Sequence, residues 1–183
     1  MAFSGWEGIL DKGEEILWQG RPDTAIRIGP ANIATMVFGL AFAGFALFWM
    51  ILASAAGGAF WMFGLIHFTV GLALAAGPIL WGPFKRGRTW YTLTDRRAFI
   101  ATDLPLRGKQ LKSYPITDDT VLDFQPGALS SIHFAEEMRR GNKGRRYMVP
   151  IGFEYIREGD EVYRKMRDIQ RQDRLSAEKA AEK

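Results

Sequence analysis

The sequence predicts an α+β membrane protein: a two-helix transmembrane hairpin and a cytoplasmic bent sheet or β-barrel that is capped by a C-terminal α-helix. Three observations lead to this fold class. Residues 28–84 contain no Asp, Glu, Lys or Arg. Residues 89–155 alternate between short apolar and polar runs, which is typical of strands. Residues 159–170 place apolar side chains at helical spacing, which indicates an amphipathic helix.

The uncharged stretch is long enough for two membrane-spanning helices. A helix that crosses a bilayer needs about 20 mostly apolar residues, and its backbone must satisfy its own hydrogen bonds. We therefore divide the transmembrane hairpin, residues 28–84, into helices at about residues 33–53 and 60–81. Gly57 and Gly58 lie between them and favour a tight reversal of the chain.

The basic residues around the hairpin predict its orientation. Arg21 and Arg27 precede it, and Lys85, Arg86 and Arg88 follow it, whereas the turn between the helices has no charge. The positive-inside rule then places both termini in the cytoplasm. We expect a multi-pass protein of the cytoplasmic (inner) membrane.

Small residues recur on one face of each predicted helix, which allows two helices to approach closely. They are Gly39 and Ala43 on the first helix, and Gly64, Gly71 and Ala75 on the second. His67 lies on the same face and is the only ionisable side chain of the uncharged stretch. We interpret it as a hydrogen-bonding partner across the helix pair, with a proton or ligand role as the alternative.

Residues 85–170 are predicted to form the cytoplasmic domain. Its strands are expected at residues 89–94, 98–102, 111–116, 121–125, 131–135 and 147–155. Residues 171–183 are mostly charged or alanine and are interpreted as a charged tail that is either a solvated extension of the helix or its frayed end. A domain of about 85 residues is marginal for a single core. We therefore expect the N-terminal segment, residues 1–27, to supply a strand at about residues 14–20 that pairs with or packs on the barrel.

Three stretches resemble one family. They are residues 13–22 (Gly-Glu-Glu-Ile-Leu-Trp-Gln-Gly-Arg-Pro), residues 91–98 (Tyr-Thr-Leu-Thr-Asp-Arg-Arg-Ala), and residues 152–156 followed by Val162-Tyr163. In this order they resemble the bacterial pleckstrin-homology-like (PH-like) domain family of small membrane proteins with two N-terminal transmembrane helices. The resemblance covers nearly the whole chain and implies a PH-like barrel at a membrane. It implies no single activity, so no catalytic residue is transferred.

Basic side chains form the main candidate site. The stretch 139–146 is rich in arginine, and basic clusters beside a membrane attract anionic lipid by roughly 1 kcal/mol per cation. The alternative is a solvated loop. The candidate lipid- or anion-binding residues are Arg96, Arg97, Arg139, Arg140, Lys143, Arg145 and Arg146. For the two arginines of the first hairpin turn, the alternative is an ion pair with Asp95, Asp118 or Asp119 that fixes the turn.

Other polar residues indicate structural roles. Asp118 and Asp119 are interpreted as turn residues, and His133 as a packed or edge histidine. The chain has no cysteine, and no phosphate-binding loop, nucleophile elbow or zinc-protease motif is recognised. We therefore expect neither an enzyme, nor a cofactor, nor a metal site. Nucleic-acid binding is not expected because no aromatic residues accompany the basic ones in the stretch 139–146.

The preferred function is non-catalytic. The hairpin would hold the PH-like domain at the cytoplasmic face of the membrane, where a protein partner or a second copy binds it with the help of a raised effective concentration. The first alternative is an anionic-lipid headgroup sensor that uses residues 139–146. The second alternative is a membrane enzyme or an enzyme subunit. The expected partners are membrane lipids and a protein partner or another copy of the chain.

Overall fold

The computed structural model describes residues 6–105, 107–141 and 144–181. The elements in chain order are β1 (Ile16–Gly20), α1 (Pro30–Ala55), a 3-10 helix (Phe60–Met62), α2 (Phe63–Gly87), β2 (Thr89–Thr94), β3 (Arg97–Leu104), β4 (Gly108–Pro115), β5 (Asp123–Gln125), β6 (Ser130–Arg140), β7 (Arg146–Ile156) and α3 (Gly159–Ala181). They form two compact units. The helix pair comprises residues 24–85, and the β unit comprises the chain up to Asp23 and from Arg86 onward.

Small residues bring α1 and α2 together. The buried residues of the two helices are Gly39, Ala43, Ala46, Gly64, Gly71 and Ala75. A Cβ atom on Gly39 would lie 2.5 Å from the backbone nitrogen of Ala75, and one on Gly71 would lie 2.6 Å from the backbone nitrogen of Ala43. No real side chain fits at such distances, so the close approach of the two backbones requires glycine at both positions.

Large apolar side chains cover the outside of the helix pair. Phe45 is 66% exposed, and Val37, Phe38, Phe48 and Ile66 are exposed as well. Both helices are long and apolar enough to cross a membrane. This arrangement is the reverse of an ordinary soluble helix pair, which turns its apolar stripe inward.

The helices are longer than the uncharged pattern predicts. The first begins at Pro30, where a proline at the first helical position needs no N–H partner. The second continues to Gly87 and includes Pro78 and Pro83. Hydrophobicity marks the segment that avoids water, but backbone hydrogen bonding continues the helix into the charged residues that follow.

The strands of the β unit form two antiparallel sheets. One has the order β1-β2-β3-β4, and the other has the order β5-β6-β7. Within the described residues no ladder joins the two sheets, so the chain does not form the closed barrel that was one form of the prediction. The antiparallel strands followed by a C-terminal helix agree with the α+β class.

A single core lies between the two sheets and α3. Leu93 and Ala98 contribute from the first sheet, Ile132 and Phe153 from the second, and all four are fully buried. The apolar stripe of α3 completes the core with Val162, Met166 and Ile169. Each fully buried side chain of this size contributes about 1.5–3 kcal/mol through the hydrophobic effect.

The segment before the helix pair belongs to the β unit. β1 pairs antiparallel with β2, with Trp18 opposite Leu93 and Gly20 opposite Tyr91. The Trp18 ring lies 5.4 Å from the Phe153 ring in the core. A strand that comes before the helices in sequence therefore closes the core of a domain that comes after them.

The two connections to the helix pair meet beside β7. The Arg86 guanidinium donates to the carbonyl oxygen of Asp23 at 2.8 Å. The Asp23 amide donates to the carbonyl oxygen of Tyr155 at 2.9 Å. Tyr155 adopts a left-handed conformation with φ 55°, which is strained for a bulky residue and persists only where the surroundings hold it. Arg86 also lies over the Tyr155 ring.

The structure defines the ends of two predicted segments. Arg139 and Arg140 end β6 and Arg146 begins β7, so the two ends of the predicted basic loop are strand, whereas Gly141, Gly144 and Arg145 lie outside the strands. The charged tail that begins at residue 171 continues α3 as far as Ala181, in agreement with the predicted helix extension. In the first case, cross-strand pairing extends the ladder to Arg140 and Arg146 and leaves the turn to the residues between them. In the second, alanine and charged residues with good helix propensity extend the helix without an apolar stripe.

Candidate functional site

The second sheet extends into a hairpin that we call the arm, residues 136–150. β5 pairs with residues 131–133 of β6, whereas β6 and β7 continue as a two-stranded ribbon to Arg140 and Arg146. The turn at its tip is closed by the Gly141 amide, which donates to the carbonyl oxygen of Arg145 at 2.7 Å. Lys143 lies outside the described residues.

The arm combines basic and apolar side chains on one face. Met138 lies opposite Met148, and Arg140 lies opposite Arg146. Opposite residues share a face of an antiparallel ribbon, and so do residues two positions apart. Met138 is 62% exposed and Met148 is 51% exposed. The tip of the arm therefore presents two arginines beside two exposed methionines.

The charges of this face favour an anion. Like charges directly opposite each other destabilise a sheet, and Arg140 and Arg146 form such a pair. Within the part of the chain that the structure describes, neither of them, nor Arg145, forms an ion pair. On the other face, Arg139 lies 4.0 Å from the Glu137 carboxylate. An anion beside the arm would offset the repulsion between the opposed guanidinium groups.

Glu137 connects the base of the arm to β4. The Lys112 ammonium donates to its carboxylate at 2.5 and 2.7 Å, and the Tyr114 hydroxyl donates to it at 2.5 Å. The hydrogen bond from Lys112, followed by that from Tyr114, lowers the pKa of Glu137. Burial and the bond to Glu137 raise the pKa of Tyr114. These contacts hold the arm against the first sheet.

The two arginines of the first hairpin turn, Arg96 and Arg97, have different surroundings. Arg97 donates to the Glu14 carboxylate through Nε at 3.0 Å and through Nη2 at 2.7 Å, and it also contacts Asp11 at 2.9 Å. Its partners are thus not the three aspartates that the sequence suggested, because an N-terminal acid reaches the turn from 83 positions away. Arg96 is exposed, with Asp95 at 3.8 Å.

Glu14 was not a candidate from the sequence. Its side chain is fully buried, and the Thr94 hydroxyl donates to Oε1 at 2.7 Å. The hydrogen bond from Arg97 is the largest cause that lowers the pKa of Glu14 to about 2, against the opposing effect of burial. A buried, bidentate arginine–carboxylate pair is among the stronger polar contacts in proteins. We infer that it fastens the N-terminal segment to the first sheet.

The acidic cluster and His133 have structural partners. Gln170, buried on α3, donates to the carbonyl oxygens of Thr117 at 3.0 Å and Thr120 at 2.7 Å, which fixes the turn that contains Asp118 and Asp119. His133 lies opposite Asp123 in the ladder, with Nδ1 3.5 Å from its carboxylate. Among residues 6–105, 107–141 and 144–181, no three His, Asp or Glu side chains are placed to hold a metal ion.

His67 faces aromatic rings in the helix pair. Its Nδ1 lies 3.3 Å from the carbonyl oxygen of Phe63 on its own helix, and its ring is 6.1 Å from that of Phe42 on α1. The expected hydrogen bond across the pair is thus replaced by a contact within α2 and a ring contact across. His67 also lines a cleft of about 300 Å³ with Trp49 and Phe45.

No family model, no curated protein and no solved structure matches the chain. The resemblance to the PH-like family therefore stays a proposal.

Proposed function

We propose that the chain is a non-catalytic protein of the cytoplasmic membrane, in which the helix pair anchors a PH-like β unit on the cytoplasmic side. The apolar exterior of the helix pair supports this, because so much exposed apolar surface is unfavourable in water and favourable in lipid. The basic residues at both ends of the hairpin support the orientation. Two antiparallel sheets around one core, with a C-terminal helix, support the PH-like fold.

The β unit then serves as a docking module, and we propose that the arm binds an acidic surface of a partner protein or of a second copy. The observation that favours this most is the opposed pair Arg140 and Arg146 beside the exposed Met138 and Met148. Arginine, methionine and tyrosine are enriched in protein interfaces. Methionine also adapts its shape to different partners.

The membrane anchor lowers the affinity that such a contact requires. Two membrane-bound partners meet at a raised effective concentration, so a small interface is sufficient. Opposite charge across the interface accelerates association and makes it sensitive to salt. A modest arm with a strong local charge therefore suits a reversible contact at the membrane surface.

The test compares two full-length variants with the same change of charge. Arg140→Glu/Arg146→Glu reverses the two positive charges on one face of the arm. Arg171→Glu/Arg174→Glu reverses two exposed positive charges on α3. Each protein is extracted in mild detergent, and its mass is measured by light scattering along with any co-purifying protein. We expect the wild type and the α3 variant to form a complex that the arm variant loses. If all three proteins run as the same isolated monomer, the proposal is wrong.

Anionic lipid is the second candidate, since Arg140, Arg145 and Arg146 offer three exposed guanidinium groups close together. Each would contribute roughly 1 kcal/mol near an anionic surface. The same two variants in nanodiscs with and without phosphatidylglycerol would distinguish the candidates. A lipid sensor predicts arm protection from hydrogen exchange that depends on phosphatidylglycerol and on salt. A protein-docking arm predicts no such dependence.

A further inference from the structure

The outer face of the first sheet, on the side away from the core, forms a cleft. Trp90 lies opposite Ala101, and Ala101 lies opposite Leu111, so the three side chains form one row across β2, β3 and β4. Phe99 is the next residue of β3 on this face, and the Trp6 ring packs against its edge at 5.2 Å. The N-terminal segment thus forms one wall of the cleft and the sheet forms its floor.

The cleft has the size and lining of a small-molecule site. Its volume is about 790 Å³, within the roughly 300–1,000 Å³ that is usual for ligand sites. The small side chain of Ala101 leaves a depression between Trp90 and Leu111. Leu111 is 42% exposed, although Trp90, Ala101 and Phe99 lie on the same face of the sheet. An apolar ligand would cover it.

One end of the cleft is charged. Arg21 follows β1 directly, and its guanidinium lies 4.8 Å from the centre of the Trp90 ring. At the same end, Lys109 lies opposite Asp103 on the neighbouring strands. Two cations and one carboxylate line this end, so its net charge favours a single negative group. The Trp90 ring holds Arg21 in position before any ligand binds.

From this geometry we propose that the cleft binds a single-chain anionic amphiphile, with its acyl chain on Trp90, Ala101 and Leu111 and its anionic group at Arg21 and Lys109. The apolar row of Trp90, Ala101 and Leu111 with cations nearby matches an acyl chain better than a sugar or a nucleotide, which need many polar partners. A fatty acid and a lysophospholipid share this chemistry. The proposal is independent of the arm and of its partner.

The test uses the full chain in nanodiscs of zwitterionic lipid and a photoreactive diazirine analogue of palmitic acid. Sites of labelling are located by mass spectrometry. We expect adducts on β2, β3 and β4 around Trp90 and Leu111 in addition to those on the lipid-facing helices. Excess palmitate or lysophosphatidylglycerol should remove the adducts on the sheet, and the more effective competitor identifies the natural headgroup. A cationic amphiphile, dodecyltrimethylammonium, should not remove them.

Two variants and two controls make the result specific. Ala101→Phe fills the floor and should reduce labelling of the sheet about tenfold, because overfilled space excludes the chain. Lys109→Gln removes one cation and should weaken competition by palmitate about fivefold. Val121→Phe introduces the same phenylalanine and Lys179→Gln removes the same charge at exposed positions elsewhere, and neither should have an effect. Hydrogen exchange of β2 and β3 verifies that each variant is folded.

The proposal is overturned if adducts occur only on residues 30–87. It is also overturned if labelling of the sheet is the same in Ala101→Phe as in Val121→Phe, or if the cationic amphiphile competes as well as palmitate. Lys109→Gln keeps the test decisive should Ala101→Phe fail to fold, since an exposed lysine does not support the core.

Discussion

The packing inside the helix pair differs from the packing inside the β unit. In the helix pair, the smallest side chains are buried at the contact, and the large apolar ones face outward. In the β unit, large apolar side chains such as Phe153, Leu93 and Met166 are buried in the core. The difference follows from the surroundings for which each unit is suited. In the proposed membrane location, apolar surface gains nothing from burial, so close backbone packing holds the helices instead.

Side-chain volume at the buried contacts affects the stability of the two units in opposite directions. Removing a large side chain should harm the β unit, because it leaves a cavity. Adding a side chain should harm the helix pair, because it separates the backbones. The following substitutions test this contrast, in order of decreasing effect.

Phe153→Ala should have the largest effect. Its fully buried ring contacts the rings of Trp18, Tyr91 and Phe134 at 4.8–5.4 Å. Truncation should lower the free energy of unfolding of the β unit by about 3–5 kcal/mol. Guanidinium titration of the full chain in detergent, followed by near-UV circular dichroism, measures it. Tyr147→Ala, at an exposed aromatic position of the arm, is the matched control and should change little.

Glu14→Gln tests the polar fastening of the N-terminal segment. The pKa of Glu14 falls from 4.5 to about 2 on folding. The pair therefore stabilises the fold above pH 4.5, and this stabilisation is lost as the pH falls toward 2. At neutral pH, the variant should lose at most about 3 kcal/mol. Hydrogen exchange of β1 and β2 at several pH values measures the loss.

The pH profile distinguishes this role from a general loss of packing. The wild type should lose protection of β1 between pH 4.5 and 2, and the difference between wild type and Glu14→Gln should shrink over the same range. Asp168→Asn removes an exposed ion pair with Arg171 on α3 and should leave the profile unchanged. A constant difference at all pH values would show that the Glu14 charge is not responsible.

Gly71→Leu tests the contact between the helices. The added side chain meets the backbone of Ala43, and overpacking of this kind costs about 1–3 kcal/mol. Gly77→Leu is the matched control on the same helix, where an added Cβ meets no atom within 4 Å. Titration of mixed micelles with sodium dodecyl sulfate should denature the first variant earlier than the second. Equal midpoints would contradict the packing assigned to Gly71.

Gln170→Ala should have the smallest effect. The variant leaves the carbonyl oxygens of Thr117 and Thr120 without their partner on α3, at a cost of about 1–2 kcal/mol. Gln172→Ala, an exposed glutamine on the same helix, is the control. Faster hydrogen exchange in residues 117–120 of the first variant alone is the expected result. Equal exchange in both would show that the buried amide does not hold the turn.

The sequence was informative where one local pattern decides the structure. The absence of charge in residues 28–84 predicts two long apolar helices, and alternation from Thr89 to Thr94 predicts a strand, because both signals arise from neighbouring residues. It was uninformative where the deciding partner is far away. Nothing near Glu14 in the sequence indicates that it will be buried and paired with Arg97. Nothing near Asp123 indicates that it will lie opposite His133.

The candidate site shows the same division. The sequence predicted a basic loop at residues 139–146, whereas the structure has Arg139, Arg140 and Arg146 in strands and a loop only between them. Only the register of β6 and β7 shows that Arg140 faces Arg146 with the two methionines beside them. The outer cleft could not be predicted at all, because Trp6, Arg21 and Leu111 meet only when three distant segments fold together.

The central claim is that the helix pair crosses the membrane twice and leaves both ends of the chain on one side. Because the chain has no cysteine, a single introduced cysteine is the only thiol that can be labelled, and its labelling shows on which side of the membrane it lies. Ala59→Cys lies between the helices, and Ala180→Cys lies at the end of α3. In intact spheroplasts, a membrane-impermeant maleimide should label Ala59→Cys, and it should label Ala180→Cys only after lysis. Labelling of both from outside, or recovery of the protein in the soluble fraction without detergent, would contradict the account.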